Sequence, residues 1–461
     1  MTPLSLQDSF PVQESAAVND IVRRYAKLQV PRYTSYPTAA EFTAEIGSED
    51  QTRWLQDLDG AEAVSVYLHV PYCRDLCLYC GCNTKKARRE DVLVAYRDAL
   101  ESEIALVSDV VSGPVRIARL HWGGGTPSIL GGEGLASVVE VLRRRFVFEP
   151  DFEHAIELDP RYVTPSLASG LSELGVNRVS LGVQDVNPTV QAAIGRLQPL
   201  QDVEAAVARL RADGIRNLNF DLIYGLPLQT IDSLRRTCAA VAALSPDRIA
   251  CYGYAHMPHL KANQRRIDER TLPGVEDRID QATAIAEEFL RHGFLRVGID
   301  HFAKQRDSLA QAAMSGRLHR NFQGYTDDER PTLIGFGASS ISRFRDGYVQ
   351  NISDVPSYVR TISSGRLAAS RGCRLDSAGK QRARTIESLM CEFEADLDVT
   401  APDMEFSEEL LLLRPLVEDG LVRVRGRVVT ATEAGRSVVR VIAAVFDPFT
   451  RIGATRFSKA V

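Results

Sequence analysis

VSVYLHVPYCRDLCLYCGCN, residues 64–83, is an apolar run that ends in a loop rich in thiols. Residues 64–70 are largely β-branched and apolar, which is typical of a buried strand. Four of the chain's eight cysteines follow within ten residues, namely Cys73, Cys77, Cys80 and Cys82. A disulfide framework would spread its cysteines, whereas a tight cluster indicates metal or redox chemistry at the end of a strand.

The alternation of a short apolar run and a longer helical pattern continues along the chain. The apolar runs predict strands over 64–70, 115–122, 152–158, 176–183, 218–224, 248–254 and 295–300. Apolar residues three and four apart predict helices over 92–107, 135–146, 165–174, 200–212, 231–244 and 278–292. Strand and helix alternating at this interval are typical of parallel βα units.

Six of the predicted strands end in polar or glycine-rich residues. After the cysteine loop come the glycines at 123–125 and then Glu157, Gln184 and Ala255 at the ends of their runs, while Asp221 lies within the fifth run ahead of residues 224–227. Active sites of barrels of parallel strands form at the carboxyl ends of those strands. The expected fold class is therefore α/β, an open partial (β/α)6 barrel of the TIM type with extra strands. With fewer than eight strands, one side stays open and admits a large substrate.

The residue pattern changes near both ends of the chain and predicts three parts. Residues 1–60 are polar and irregular apart from an amphipathic piece at 21–28, and residues 1–50 are predicted to form an N-terminal arm. Residues 51–365 carry the βα pattern and form the predicted catalytic domain. Residues 366–461 form a small, mainly helical C-terminal domain.

The C-terminal part is predicted to be winged-helix-like. Helical patterns extend over 379–397 and 407–418. A hairpin pattern over 421–430 follows, and a last helix closes the chain. Helices followed by a small hairpin are typical of such a domain.

Composition and charge exclude several classes of protein. The 461 residues include 55 Lys and Arg against 60 Asp and Glu, a net charge of −5. No basic tail or aromatic-interleaved basic stripe stands out, which excludes a dedicated nucleic-acid binder. No apolar run reaches the roughly 18 residues of a membrane span, and the start does not resemble a signal peptide. We expect a cytoplasmic protein without a membrane span.

The scattered cysteines are expected in the core: Cys238, Cys251, Cys373 and Cys391.

Three closely spaced thiolates can hold three irons of a [4Fe–4S] cluster and leave the fourth iron open. Cys73, Cys77 and Cys80 offer this arrangement, with three and then two residues between them. The alternative is a tetrahedral zinc site closed by Cys82. That alternative is disfavoured because a single residue separates Cys82 from Cys80, a poor spacing for a closed site.

The cysteine spacing resembles that of the radical S-adenosylmethionine (SAM) enzymes. The flanking stretch from Tyr67 to Asn83, with its C-x-C ending, resembles the oxygen-independent coproporphyrinogen III oxidase family. Further stretches resemble the same family in unbroken order: PRYTSYPTA (31–39), HWGGGTPS (121–128), IELDP (156–160), LGVQD (181–185), DLIYGLP (221–227), YAHMP (254–258), HRNFQGYT (319–326) and LMCEFEADL (389–397).

The resemblance implies a [4Fe–4S] cluster on Cys73, Cys77 and Cys80, with two SAM molecules near it. By position, the contacts of one SAM are Tyr67, Gly124, Glu157 and Ile341. The contacts of the other are Tyr79, Gly125, Thr126, Gln184, Arg196, Asp221 and Ala255. Cys82 is then not a cluster ligand, and it joins Tyr67 and Glu157 as a candidate catalytic residue.

The resemblance also implies an activity: SAM-derived radicals convert two propionates of coproporphyrinogen III to vinyl groups, giving protoporphyrinogen IX. A low-potential electron donor is required, and we expect a monomer. Because the substrate carries four propionates and the protein is net acidic, binding requires a local basic site. The candidates are Arg32, Arg320, Phe322 and Gln323, together with Arg23, Arg24 and Lys27 of the arm.

Two other functions stay open from the sequence. One is a haem-binding or haem-transfer protein of the same superfamily that keeps the cluster. The other is a non-catalytic iron–sulfur or zinc scaffold protein. Related haem-binding members usually depart from the C-x-C-N ending or from the downstream NFQGY, and this sequence keeps both.

Overall fold

The computed structural model of the protein describes residues 16–450 apart from Asp59 and Ala61. Its strands are, in chain order, β1 (Ala63–Val70), β2 (Tyr72–Cys73), β3 (Lys85–Lys86), β4 (Arg116–Gly124), β5 (Val147–Leu158), β6 (Arg178–Gln184), β7 (Asn217–Tyr224), β8 (Arg248–Gly253), β9 (Leu295–Val297), β10 (His301–Ala303), β11 (His319–Asn321), β12 (Gly324–Thr326), β13 (Leu333–Phe336), β14 (Ile341–Phe344), β15 (Gly347–Asn351), β16 (Ala369–Arg374), β17 (Glu394–Asp396), β18 (Val422–Arg425) and β19 (Val428–Ala431).

Helices alternate with the strands through the middle of the chain. They are, in chain order, α1 (Ala16–Ala26), α2 (Ser48–Gln56), α3 (Glu90–Val110), α4 (Gly131–Arg145), α5 (Pro165–Glu173), α6 (Pro188–Ala193), α7 (Leu200–Ala212), α8 (Ile231–Ala243), α9 (Val275–Arg291), α10 (Ser308–Met314), α11 (Val355–Ser363), α12 (Ser377–Glu392), α13 (Leu397–Thr400), α14 (Ser407–Leu412), α15 (Arg414–Glu418), α16 (Glu433–Arg436) and α17 (Val439–Ala444). Across the described residues, no helix is both long and apolar enough to cross a membrane.

One twelve-stranded sheet organises the larger part of the molecule. Its strand order is β16-β15-β14-β13-β1-β4-β5-β6-β7-β8-β10-β9. The seven strands from β13 to β8 are parallel, and the strands at either end pair antiparallel. The α/β class, the consecutive parallel strands and the extra strands are thus confirmed. The order has two edge strands, β16 and β9, which agrees with an open sheet.

The carboxyl ends of the parallel strands meet along one edge of this sheet. That edge carries the residues that follow β1, β4, β5, β6, β7 and β8.

The sheet is rigid because apolar side chains of its strands and covering helices form one core. Trp122, Phe220 and Phe336 are fully buried there, and each contributes roughly 2–3 kcal/mol of hydrophobic stabilisation.

A second core lies among the C-terminal helices and includes the N-terminal segment. Helices α12 and α17 pack together around it. Five side chains of residues 22–36 are buried in the same core: Val22, Ala26, Val30, Tyr33 and Tyr36. The segment that the sequence predicts as a polar arm is therefore anchored on the C-terminal part of the chain.

Several local predictions differ from the structure. The pattern over 295–300 gives only β9, a three-residue antiparallel strand, because the chain turns back at once to form β10. Helix α2 lies within a stretch predicted to be irregular. The pattern over 379–397 ends as a helix at Glu392, since Phe393 has a left-handed φ of 60° and β17 follows.

The C-terminal hairpin is present, and its sheet is larger than predicted. Strands β18 and β19 form the hairpin, and β17 adds a third strand to give the order β17-β19-β18. The single helix predicted over 407–418 is two short ones, with the break at Leu413 just before Pro415. Proline is tolerated in the first turn of a helix but not in its interior, which explains the break.

Candidate active site

The cysteine loop follows β1, and two side chains that follow β8 hold it through hydrogen bonds. Asn263, which follows β8, donates through Nδ2 to the carbonyl oxygens of Cys77, Leu78 and Cys80 at 2.9–3.1 Å. Its neighbour Gln264 donates through Nε2 to the carbonyl of Tyr79 at 2.8 Å. These bonds satisfy carbonyl groups that a tight loop leaves without secondary-structure partners. They fix the conformation of the loop.

Each of the three predicted ligand thiols has a polar neighbour. The Cys73 Sγ lies 3.4 Å from Thr84 Oγ1 and 3.5 Å from Thr126 Oγ1. The Cys77 Sγ lies 3.5 Å from Arg196 Nη1. A hydrogen bond from Cys82 lowers the pKa of Cys80 to about 7. Donors aimed at sulfur stabilise thiolates, the form that binds iron.

Three thiols on one short loop suit an iron–sulfur cluster. Among the described residues, no three His, Cys, Asp or Glu side chains converge closely enough to hold one metal ion. A cubane does not need such convergence, because each thiolate binds a different iron. Cys73, Cys77 and Cys80 would hold the cluster, and the Cys82 thiol is the hydrogen-bond partner of Cys80.

The glycines after β4 leave room beside the cysteine loop. A Cβ at Gly123 would lie 2.7 Å from Glu157 Oε1 and 2.9 Å from the Tyr67 hydroxyl. Gly124 has a φ of +107° and lies against the His69 ring, so it combines a backbone and a steric requirement for glycine. At Gly125 a Cβ would meet the backbone of Tyr72. The backbone at these positions is therefore exposed to a ligand without side-chain obstruction.

Glu157 at the end of β5 is the acidic group of this edge. Its Oε2 accepts from the backbone N–H of Gly124 at 3.2 Å, and its Oε1 lies 3.1 Å from His121 Nε2. The Tyr67 ring stacks on His121 with centroids 5.9 Å apart. Burial and the nearby Glu157 carboxylate hold the pKa of Tyr67 well above its usual value. About a third of the Glu157 side chain remains accessible at this edge of the sheet.

Arg196 is the central cation on the other side of the cysteine loop. Its Nη1 lies 3.0 Å from Asp159 Oδ2, its Nη2 donates to the Gly182 carbonyl at 2.8 Å, and its Nε donates to Gln198 at 3.1 Å. Tyr79, from the loop itself, lies close enough to feel this charge. Asp159 and Gln198 were not among the predicted site residues, although Asp159 lies within the IELDP stretch.

Gln184 ends β6, and Asp221 lies within the next strand, β7. Gln184 follows a register shift in β6 and has a φ of 67°, which turns its side chain toward Arg196 at the strand end. Asp221 accepts from Ser180 Oγ at 2.7 Å and from Asn219 Nδ2 at 2.9 Å. Burial raises the pKa of Asp221 to about 6. Ser180 and Asn219 are further site residues that the sequence did not indicate.

The two remaining predicted SAM contacts lie at opposite ends of the parallel run. Ala255 follows β8, and its carbonyl accepts from Gln264 Nε2 at 3.2 Å. Ile341 is the first residue of β14, the strand beside β13 in the sheet, and it pairs with Gln350 of β15. Gln264 thus connects Ala255 to Tyr79 of the cysteine loop.

The predicted substrate residues come from two parts of the chain. Arg32 lies in the N-terminal segment, and Arg320, Phe322 and Gln323 lie in β11 and the turn that follows it. Arg32 donates to the carbonyl of Gly253 at the end of β8, at 2.9 Å. Arg320 donates through Nε to the Tyr33 carbonyl at 3.0 Å. Phe322 packs on Tyr348 and lines a small cavity together with Arg320. The backbone of Gln323 accepts a hydrogen bond from the Tyr252 hydroxyl.

The structure does not bring the other cations of the N-terminal segment to this edge. Arg23 and Lys27 form ion pairs with Glu276 of α9, and Arg23 also pairs with Asp280. Arg24 pairs with Asp419. These three side chains attach α1 to its neighbours and lie on the outer surface.

Comparison with known proteins agrees with this arrangement. The family description "Radical SAM superfamily" matches residues 67–241. The oxygen-independent coproporphyrinogen III oxidase of Bradyrhizobium diazoefficiens is 43% identical over 447 residues, which cover 96% of this chain and 99% of that protein. The protein of the same name from Escherichia coli is 38% identical and covers 91% of this chain and 93% of its own.

A solved structure is similar over nearly the whole chain. It is the coproporphyrinogen III oxidase from Escherichia coli, described as a radical SAM enzyme, with a TM-score of 0.86 and 36% sequence identity. The match covers 92% of this chain and 100% of that one. Both the βα sheet and the C-terminal part therefore have counterparts there.

Proposed function

Since the chain belongs to the oxygen-independent coproporphyrinogen III oxidase family of the radical SAM superfamily, we propose that its strand-end site decarboxylates two propionates of coproporphyrinogen III. The product is protoporphyrinogen IX, and the process is haem biosynthesis. The observation that carries the proposal is the meeting of the cysteine loop, Glu157 and Arg196 at one edge of the sheet. The cysteine loop follows β1, Glu157 lies at the end of β5 and Arg196 lies between α6 and α7, and each has the chemistry that its proposed ligand needs.

The cofactors of this family are a [4Fe–4S] cluster and SAM. When bound, they supply one-electron reduction and hydrogen-atom abstraction. Cys73, Cys77 and Cys80 would hold the cluster. The Thr84 and Thr126 hydroxyls near Cys73, and the Arg196 guanidinium near Cys77, stabilise the negative charge on those sulfurs.

The chain's own contribution is binding, orientation and exclusion of water. Glu157 offers a carboxylate, fixed by Gly124 and His121, to a cationic or hydroxyl group of a ligand. Asp221 is fixed by Ser180 and Asn219 and serves in the same way. Because these acceptors are already oriented, little reorganisation is needed when the ligand binds.

We propose two SAM positions, one on each side of the cysteine loop. Tyr67, Gly124, Glu157 and Ile341 belong to the first, and Cys82 lies near enough to Glu157 for the two to interact. Tyr79, Gly125, Thr126, Gln184, Arg196, Asp221 and Ala255 belong to the second. The support is that Tyr67 and Gly124 of the first set lie beside Glu157, whereas Tyr79 and Gln184 of the second lie beside Arg196. Equilibrium dialysis with labelled SAM on the reconstituted protein measures the stoichiometry, and a value of about one contradicts this part.

The proposal includes a monomeric enzyme that receives electrons from a low-potential donor in the cytoplasm. All eight cysteines have free thiols, which suits a reducing compartment. Size-exclusion chromatography with light scattering tests the monomer, and fractionation tests the location.

The decisive experiment is anaerobic reconstitution of the cluster followed by incubation with SAM, a reductant and coproporphyrinogen III. We expect protoporphyrinogen IX, formed through a three-propionate intermediate, together with 5′-deoxyadenosine. A Cys77→Ser variant is the control and should produce neither compound. Tight haem binding without decarboxylation would contradict the proposal and favour haem transfer. Zinc in place of iron would favour a scaffold role.

A further inference from the structure

Four arginines from distant parts of the chain converge beyond the carboxyl ends of β7 and β8. They are Arg32 of the N-terminal segment, Arg278 of α9, Arg320 of β11 and Arg440 of α17. Arg32 donates to the Gly253 carbonyl. The Arg278 guanidinium lies so close that a Cβ at Gly253 would come within 3.0 Å of its Nη2. Two of the four guanidiniums therefore lie directly against the end of β8.

Asp300 is the carboxylate around which this cluster is built. Arg440 Nη2 lies 3.7 Å from Asp300 Oδ2, and the other oxygen of Asp300 lies 2.8 Å from His301 Nδ1. The Asp300 side chain is 9% exposed. Across the described residues, Asp300 is the carboxylate among the strongest electrostatic neighbours of Arg32, Arg320 and Arg440. The corresponding neighbour of Arg278 is Tyr224.

The positive charges in this cluster thus outnumber the negative ones. Burial and the neighbouring Arg440 and Arg278 lower the pKa of Arg32 to about 10. Arg320 is 8% exposed, and its Nη1 is buried without a hydrogen-bond partner, as is the Nε of Arg278. A buried guanidinium nitrogen without a hydrogen-bond partner is costly for a folded protein, and a bound anion would satisfy it.

The cluster borders the proposed active site. Tyr224, at the end of β7, lies 6.0 Å from the Arg278 Cζ, measured to its ring centroid. The next strand contributes Tyr252, whose hydroxyl interacts with Asp221 and Asp300 and with the Arg320 charge. An anionic ligand bound by the arginines would therefore extend along the same edge toward Asp221.

We infer that Arg32, Arg278, Arg320 and Arg440 form the site that binds propionate carboxylates of the tetrapyrrole substrate. This inference rests on the proposed function and adds the subsite that fixes the substrate's position. Arginine suits the task because its planar fork pairs with a carboxylate through two parallel hydrogen bonds. The substrate is the tetra-anion for which a protein of net charge −5 needs a local cationic site.

The test compares Arg278→Met and Arg440→Met with Arg291→Met. Arg291 is an exposed arginine on α9, the helix that carries Arg278. Binding is measured by fluorescence with coproporphyrin III and with its tetramethyl ester in a mild detergent. We expect each cluster variant to weaken binding of the acid about tenfold or more, with ester binding changed less than about twofold. Arg291→Met should bind both porphyrins as the wild type does.

Thermal unfolding of the ligand-free proteins separates binding from structure. Because the variants remove one of several repelling cations, we expect midpoints equal to or above that of the wild type. Arg278→Lys should recover part of the affinity, since it restores the charge without the fork. Unchanged binding of the acid by both methionine variants, or a lowered midpoint that Arg278→Lys does not restore, would overturn the inference.

These outcomes differ from failure of the proposed function. If the wild type binds coproporphyrin III but forms no protoporphyrinogen, the proposed function fails while the binding comparison still decides the role of the arginines. If the wild type turns over and the methionine variants bind normally, only the inference fails.

Discussion

The Arg196 Nη1 lies 3.5 Å from the Cys77 Sγ and places a permanent positive charge beside one of the three predicted cluster ligands. Asp159 shares that guanidinium at 3.0 Å and fixes its position. Charge and hydrogen bonds directed at the sulfurs raise the reduction potential of an iron–sulfur cluster. The contact is therefore a determinant of how readily the cluster accepts an electron.

Arg196→Gln should make the reduction potential of the reconstituted cluster more negative, on the order of tens of millivolts, because a charge and a donor are lost. Redox titration followed by electron paramagnetic resonance measures the shift. Arg161→Gln is the matched control, because Arg161 also binds Asp159, at 2.6 Å, but has no hydrogen bond to a cysteine sulfur. An equal shift in both variants would assign the effect to Asp159 instead.

Cys82→Ser should keep the cluster and lose decarboxylation, since Cys82 is the hydrogen-bond partner of Cys80 rather than a predicted ligand. Iron and sulfide analysis should give about four of each per chain, as expected for a cubane. Cys80→Ser is the comparison and should lose most of the cluster. Loss of metal from both variants to the same extent would make Cys82 a ligand.

Gly123→Ala should weaken SAM binding about tenfold or more, because the new methyl group would lie 2.7 Å from Glu157 Oε1 and 2.9 Å from the Tyr67 hydroxyl. Isothermal titration calorimetry on the reconstituted protein measures the change. Gly132→Ala in α4 has open space around it and should leave SAM binding unaltered. Normal binding by Gly123→Ala would remove Glu157 and Tyr67 from the SAM site.

Glu103 makes the stability of the catalytic sheet depend on pH. Its carboxylate accepts hydrogen bonds from the Gly337 N–H, the Tyr358 hydroxyl and Asn351 Nδ2, yet burial raises its pKa to about 7. Because the pKa of Glu103 is higher in the folded protein than in the unfolded chain, protonation of Glu103 favours the folded state. This contribution to the free energy of unfolding is complete below about pH 4.5 and is lost as pH rises through about 7.

Relative to Glu103→Gln, the wild type should lose roughly 3 kcal/mol of unfolding free energy between pH 4.5 and pH 8. Chemical denaturation at several pH values measures this difference. Asp98→Asn, at an exposed position of the same helix, should show the wild-type pH dependence. A wild-type curve parallel to that of Glu103→Gln would mean that Glu103 does not change its protonation state in this range.

The parallel strands could be predicted because their signal is local. Each apolar run has the length of a buried strand, and the polar residue at its end directly precedes a helix. Glu157 was identified in this way and lies near the end of β5, whereas Asp221 was identified through the family resemblance and lies within β7. The cysteine spacing likewise indicates a cluster site by itself, without information from the rest of the chain.

The same reasoning could not predict contacts between segments that are far apart in the sequence. The tether from Asn263 to the cysteine loop joins residues more than 180 positions apart, and nothing in the sequence around Asn263 marks it. The N-terminal segment is polar in composition, so the sequence predicted an arm. Its few apolar residues have helical spacing, and they are buried because the C-terminal helices offer a matching surface.

The shared core of residues 22–36 and the C-terminal helices has a consequence during synthesis. Val22 and Tyr33 emerge from the ribosome hundreds of residues before Ile442 and Phe446, which cover them in the finished protein. A nascent or prematurely terminated chain therefore displays uncovered apolar side chains near its N-terminus, the signal by which chaperones and proteases select incomplete products. Arg440 lies on α17 with Ile442, so a chain that ends before α17 also lacks one of the four arginines. Completion of translation is thus coupled to completion of the proposed carboxylate-binding site.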